Sequence, residues 1–163
     1  MTTLYDFSLT TLGGDPLPLE RFRGKVVLVV NVASRCGFTP QYGGLQGLYA
    51  EGQGDGLVVL GVPANEFGAQ EPGTDAEIAD FCETRFQVTF PMASKVVVKG
   101  EGQHPLYAWL TAAADPPGEV MWNFEKFLIG RDGRVVQRFR SDVGPGSPAL
   151  REAVAAALAG GGS

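Results

Sequence analysis

The chain has 163 residues, 44% of them hydrophobic and 19% charged, with a formal charge of −5 at neutral pH. That length suits one well-buried domain rather than two. The acidic balance argues against nucleic acid and anionic membranes, both of which are bound through basic side chains.

"MTTLYDFSLT" has neither the basic start nor the apolar core of an export signal, and no apolar run is long enough to span a bilayer. The expectation is therefore a cytoplasmic protein without stable membrane insertion. Residues 1–159 read as one domain, and the glycine-rich 160–163 as a disordered tail.

"LYDFSLT" (4–10) alternates and predicts a short strand closed by the turn signal Gly13-Gly14-Asp15-Pro16. "KVVLVVNV" (25–32) is an unbroken β-branched run, the pattern of a strand buried on both faces. Thr39 and Pro40 suit an N-cap and a first helical residue, and Leu45, Leu48 and Tyr49 line one face of a helix over about 40–51. "GLVVLGV" (56–62) is a second apolar strand, so these segments form a right-handed βαβ unit with a parallel pair. After the loop "PANEFGAQEPG" (63–73), Thr74 and Glu77 match a capping box, with Ile78, Phe81 and Cys82 on one helical face.

"SKVVVKG" (94–100) predicts a short strand and "HPLYAWL" (104–110) a short helix. Residues 122–139 predict two strands joined at Asp132-Gly133, and residues 147–158 a last helix. There is no internal repeat. A βαβ unit followed by a hairpin and a closing helix outlines an α/β, thioredoxin-like fold with a central mixed β-sheet flanked by helices.

Cys36 and Cys82 are the only cysteines. A reducing compartment disfavours a permanent structural disulfide between them. Zinc is disfavoured as well, because Cys36, Cys82 and the single histidine, His104, show no paired ligand spacing. His104, ahead of Pro105, reads as a residue that opens a helix.

Cys36 falls beyond the carboxyl end of strand 25–32 and before a helix, where sites gather in parallel α/β sheets. The loop carrying Asn65 and Gln70 lies beyond the neighbouring strand and is expected to face the same crevice. A helix N-terminus and nearby amides favour a thiolate, and Arg35 adds positive charge. Buried core thiols remain the plain alternative for both cysteines. In "CGFT", Thr39 stands where a thioredoxin has its second cysteine, so a two-cysteine centre within one turn is absent.

"NVASRCGFT", "QYGGLQGLY", "GVPANEFGAQEPG", "FPMASK", "HPLYAWL" and "WNFEKFLI" occur in colinear order between about Leu4 and Leu158. Together they resemble the glutathione peroxidase family. The resemblance implies a cysteine peroxidase that reduces hydrogen peroxide and organic hydroperoxides, with no cofactor and no metal. Cys36 matches the peroxidatic position, and Gln70, Trp122 and Asn123 match the glutamine, tryptophan and asparagine of the catalytic tetrad. All three offer uncharged N–H donors to a thiolate and a leaving oxygen.

Cys82, in "EIADFCETRF", resembles the resolving cysteine of the thioredoxin-dependent branch. It would trap a Cys36 sulfenic acid as a disulfide. Since Cys82 lies in a capped helix, that bond is expected to need the helix to unwind, with the two sulfurs out of bonding reach in the reduced state.

Two departures refine the resemblance. Ala64 occupies a position where many relatives have a third cysteine. The segment from Leu110 to Trp122 is short and lacks an assembly loop, which favours a monomer. There is no evident basic cluster for the carboxylates of glutathione, so thioredoxin is the expected reductant ahead of glutathione. The rival reading is a peroxide-sensing thiol relay that passes its oxidation to a partner protein.

Overall fold

A computed structural model describes residues 2–160 of the chain. β3 (Val26–Val32) and β4 (Leu57–Pro63) are buried at every position, in keeping with their almost wholly apolar sequences. They pair in parallel from Val26 opposite Leu57 to Val32 opposite Pro63, with α1 (Gln41–Gly52) as the crossover. β5 (Lys126–Ile129) lies antiparallel to β3, and β6 (Val135–Phe139) antiparallel to β5, giving the order β4-β3-β5-β6. A separate ribbon pairs β1 (Ser8–Thr10) with β2 (Pro16–Pro18) across the Gly13–Pro16 turn.

Alternation along the central strands divides the core into two layers. Val27, Val29, Leu60, Phe127 and Ile129 pack with Leu106, Tyr107 and Leu110 of α3 (Pro105–Ala113). Leu28, Val30, Val59 and Leu128 pack with Leu45 and Leu48 of α1 and with Ile78 and Cys82 of α2 (Asp75–Phe86). Leu150 and Val154 of α4 (Pro148–Ala159) complete that layer. A mixed sheet with helices on both faces is the expected thioredoxin-like architecture.

Caps explain several boundaries. Thr74 and Glu77 form the reciprocal capping box of α2, and His104 Nδ1 accepts the Leu106 N–H at 3.1 Å to open α3. Gly160 caps α4, donating its N–H to Ala156 and Ala157, while residues 161–163 of the expected tail lie outside the described residues.

Three local expectations are corrected. Residues 4–10 are not one strand: Thr3 and Asp6 form a capping box around a 3-10 turn, Leu4–Asp6, and only Ser8–Thr10 is extended into β1. Thr39 does not cap α1, whose N-cap is Pro40 without a side-chain bond. Residues 94–100 form no strand, because their N–H groups are taken elsewhere. Lys95 donates to Asp75 Oδ1 at 3.0 Å, Val98 to Glu66 Oε1 at 2.6 Å, and Val96 to the Pro63 carbonyl.

Candidate active site

The chain leaving β3 turns tightly before α1, and Thr39 holds that turn. Its hydroxyl accepts the Cys36 N–H at 2.9 Å and donates to the Ala33 carbonyl at 2.8 Å. The Thr39 N–H closes the loop onto the Cys36 carbonyl at 3.0 Å. Cys36 is left 8% exposed, with the Phe38 N–H aimed at its sulfur at 3.3 Å.

The loop after β4 is fastened beside it. Arg35 donates its N–H to the Gln70 carbonyl at 3.0 Å, and Asn65 Oδ1 accepts the Glu71 N–H at 2.8 Å. Asn65 thereby shapes the loop. Gly68 has φ +69°, and a Cβ there would stand 3.2 Å from the Trp122 ring, so glycine lets the indole lie on this turn. Phe67 adds a ring contact to Trp122 at 5.8 Å between centroids.

The third segment precedes β5. Asn123 is fully buried and donates from Nδ2 to Gln70 Oε1 at 3.0 Å. That bond engages the Gln70 carbonyl oxygen and leaves its NH2 group to donate elsewhere. Trp122 packs into the same apolar cluster as Cys36.

Asn31, missed from the sequence, ties this segment to β3. Its Nδ2 donates to the Trp122 carbonyl at 3.1 Å, and its own carbonyl accepts the Phe124 N–H at 2.6 Å. The available signal was a lone amide inside an otherwise apolar strand.

Gln70 and Asn123 are thus in direct contact, with Trp122 and the Cys36 loop packed around them. Cys82 lies on the inner face of α2, 3% exposed and in the same core cluster as Cys36, and both cysteines are free thiols. Burial pushes the Cys82 thiol up to about 11; the Tyr42 hydroxyl pulls it down and the Glu71 carboxyl adds to the rise. Among the described residues no cluster of three or more His, Cys, Asp or Glu side chains could hold a metal ion.

The profile of a family described as glutathione peroxidase matches residues 4–111. The chain belongs to the glutathione peroxidase family. A hydroperoxy fatty acid reductase of Synechocystis is 51% identical, over 88% of this chain and 89% of that protein. A thioredoxin/glutathione peroxidase of Escherichia coli is 44% identical, over 96% and 100%. The crystal structure of T. cruzi GPX1 superposes with a TM-score of 0.76 at 34% identity, covering 99% of both chains.

The protein is accordingly a cysteine peroxidase, with a peroxide substrate and a thiol reductant. The matched stretch contains Cys36, Gln70 and Cys82 and ends before Trp122 and Asn123. Those last two are linked to the site by their contacts with Gln70, Phe67 and Gly68.

Proposed function

We propose that this protein reduces hydrogen peroxide and organic hydroperoxides through Cys36 and is recycled by thioredoxin through a Cys36–Cys82 disulfide. The observation that carries the reading is the Asn123–Gln70 hydrogen bond beside the Cys36 loop. It fixes which end of the Gln70 amide remains free to donate.

The Cys36 thiolate attacks one peroxide oxygen and the O–O bond breaks. Cys36 becomes a sulfenic acid, and the other oxygen leaves as water or an alcohol after protonation. The Gln70 amide and the Trp122 indole are the donors suited to the charge that moves from sulfur to leaving oxygen. Asn123, buried and bonded to Gln70, acts as a positioning residue.

Cys82 then attacks the sulfenic sulfur. A disulfide needs the two Cα atoms within about 7 Å, and on this reading α2 opens to deliver the buried Cys82. The relatives' names, which include a fatty acid hydroperoxide reductase and a thioredoxin/glutathione peroxidase, support both the substrate class and the reductant. The absence of a basic cluster in the sequence favours thioredoxin over glutathione. The same reading makes the protein a cytoplasmic monomer; among the described residues no helix is long and apolar enough to cross a membrane.

A coupled assay with thioredoxin tests the cycle. Cys36→Ser is expected to abolish peroxide consumption, and Cys82→Ser to complete one stoichiometric turnover and then stop. Sustained cycling by Cys82→Ser refutes the resolving role.

A further inference from the structure

Lysine is seldom fully buried, and a buried ammonium is ordinarily balanced by a carboxylate. Lys126, the first residue of β5, is 0% exposed, yet among the described residues it forms no ion pair. Its neighbour Glu125 is paired with Arg138 and Arg140 instead. The three N–H donors of Lys126 meet three uncharged oxygens: Gln41 Oε1 at 2.6 Å, and the Ser141 and Val143 carbonyls at 3.2 and 2.7 Å. Burial pushes this lysine down to about 8 while the Asp142 and Glu125 charges pull the other way, so at neutral pH it remains a cation. A charged donor on neutral acceptors makes strong, directional bonds. Its role is therefore to be sought in what those bonds hold.

They hold the start of α1. Gln41 is the first residue of that helix, and the N-cap before it, Pro40, makes no side-chain bond. The Gln41 side chain is fastened from outside: Oε1 accepts from Lys126, and Nε2 donates to the Ser141 carbonyl at 2.8 Å. With the Lys126 bond to the same carbonyl, Lys126, Gln41 and Ser141 close a triangle of hydrogen bonds. One turn further along α1, a Cβ at Gly44 would stand 2.5 Å from the Pro145 ring, so the stretch after β6 lies tight against the helix.

From Gln41 the bonds run back to the sulfur. The Gln41 N–H donates to the Phe38 carbonyl at 2.8 Å, and the same peptide unit is fixed at its other end by the Thr39 N–H on the Cys36 carbonyl. Held in this way, Phe38 aims its own N–H at Cys36 Sγ at 3.3 Å. An amide donor on that sulfur favours the thiolate, which is the nucleophilic form, over the thiol.

We propose that Lys126 is a positioning residue for Cys36: by anchoring Gln41 it holds the start of α1 so that the Phe38 N–H stays on the sulfur. The inference rests on the peroxidatic role given to Cys36 above. Lys126 lies 90 positions from Cys36 in sequence and reaches it through Gln41 and Phe38 rather than by contact.

The test is the pH profile of Cys36 capture by iodoacetamide, read by peptide mass on the reduced full-length chain without peroxide. Lys126→Met is expected to raise the midpoint of that profile by roughly half a unit to one unit, the size of one lost hydrogen bond. Below the midpoint, single-turnover oxidation of Cys36 should slow about three- to tenfold in step. Gln41→Leu keeps the Lys126 charge and its two carbonyl bonds but removes the link, and it is expected to raise the midpoint by a similar amount. In the double variant the rise should be no greater than in the larger single one. A rise in Lys126→Met with none in Gln41→Leu would mean that the lysine acts by its charge alone, and it overturns the proposal. An unmoved midpoint in Lys126→Met overturns it as well. Where Lys126→Met does not fold, Gln41→Leu decides: a raised midpoint supports the anchoring and an unmoved one refutes it. Because the profile is taken without peroxide, it reads the anchoring whatever Cys36 does. Peroxide consumption that survives in Cys36→Ser would instead remove the peroxidatic reading.

Discussion

Thr39 occupies the place of a second thioredoxin cysteine and turns that loss into a structural device. One hydroxyl serves both the Cys36 N–H and the Ala33 carbonyl, so the turn carrying the sulfur is closed by a side chain. The identity of residue 39 was legible in the sequence; its use was not, because Thr before Pro at a helix start has an N-cap as its ordinary reading. Thr39→Val keeps the shape and removes both bonds, leaving a buried N–H and a buried carbonyl unpaired. A loss of about 1–3 kcal/mol is expected from urea unfolding, with slower oxidation of Cys36 in single turnover. Thr39→Ser, which keeps the hydroxyl, is expected to restore most of both. Equal urea midpoints for Thr39→Val and wild type count against this reading.

Among the elements, those whose boundaries are local were the readable ones: β3 and β4 from their apolar runs, α2 from Thr74 and Glu77, and α3 from His104 and Pro105. Residues 94–100 misled because a β-branched run satisfied by Asp75 and Glu66 side chains looks, in one dimension, like a strand satisfied by a neighbour.

The hairpin β5–β6 shows what such long-range bonds do for the site. Arg138 on β6 is ion-paired with Glu125, just ahead of β5, and its Nη1 donates to the Pro116 and Gly118 carbonyls at 2.9 Å. Glu125 Oε1 in turn accepts the Met121 N–H at 2.9 Å, so the pair clamps the segment that leads into Trp122. Arg138→Met removes the buried partner of the Glu125 carboxylate, which keeps the half-exposed Arg140 and the Met121 N–H, and frees that segment. Unfolding free energy is expected to drop by about 1–3 kcal/mol, and the Cys36 oxidation rate to fall in the folded fraction. An oxidation rate matching wild type would confine Arg138 to stability.

At the scale of the whole molecule, the convergence of positions 36, 70 and 122–123 was legible only through the resemblance of the blocks around them. No local pattern connects an amide at 70 with one at 123. What joins them is the sheet order, which sets β5 beside β3 and β3 beside β4.

The same topology buries Lys126 where α1, β5 and the stretch after β6 meet. Its ammonium donates to Gln41 Oε1 at 2.6 Å and to the Ser141 and Val143 carbonyls at 3.2 and 2.7 Å. Burial pushes this lysine down to about 8, against the pull of the Asp142 and Glu125 charges. Below pH 8 folded and unfolded chains both carry its charge, and the folded chain bears the burial penalty. Between about 8 and 10.5 the unfolded chain holds a proton that the folded chain has shed, so stability rises with pH there.

Cys82 has the opposite sign. Between 9.0 and about 11 the folded chain keeps a proton that the unfolded chain loses, so stability falls. Urea unfolding from neutral to alkaline pH is therefore expected to show a gain beginning near pH 8 that levels off above 9 in the wild type. In Cys82→Ala the gain should persist further, until the buried Tyr42 and Tyr107 begin to subtract above 10. In Lys126→Met it should be absent whatever the variant's overall stability, because the readout is the slope with pH. Parallel alkaline profiles for all three chains would mean that neither buried group couples its proton to folding.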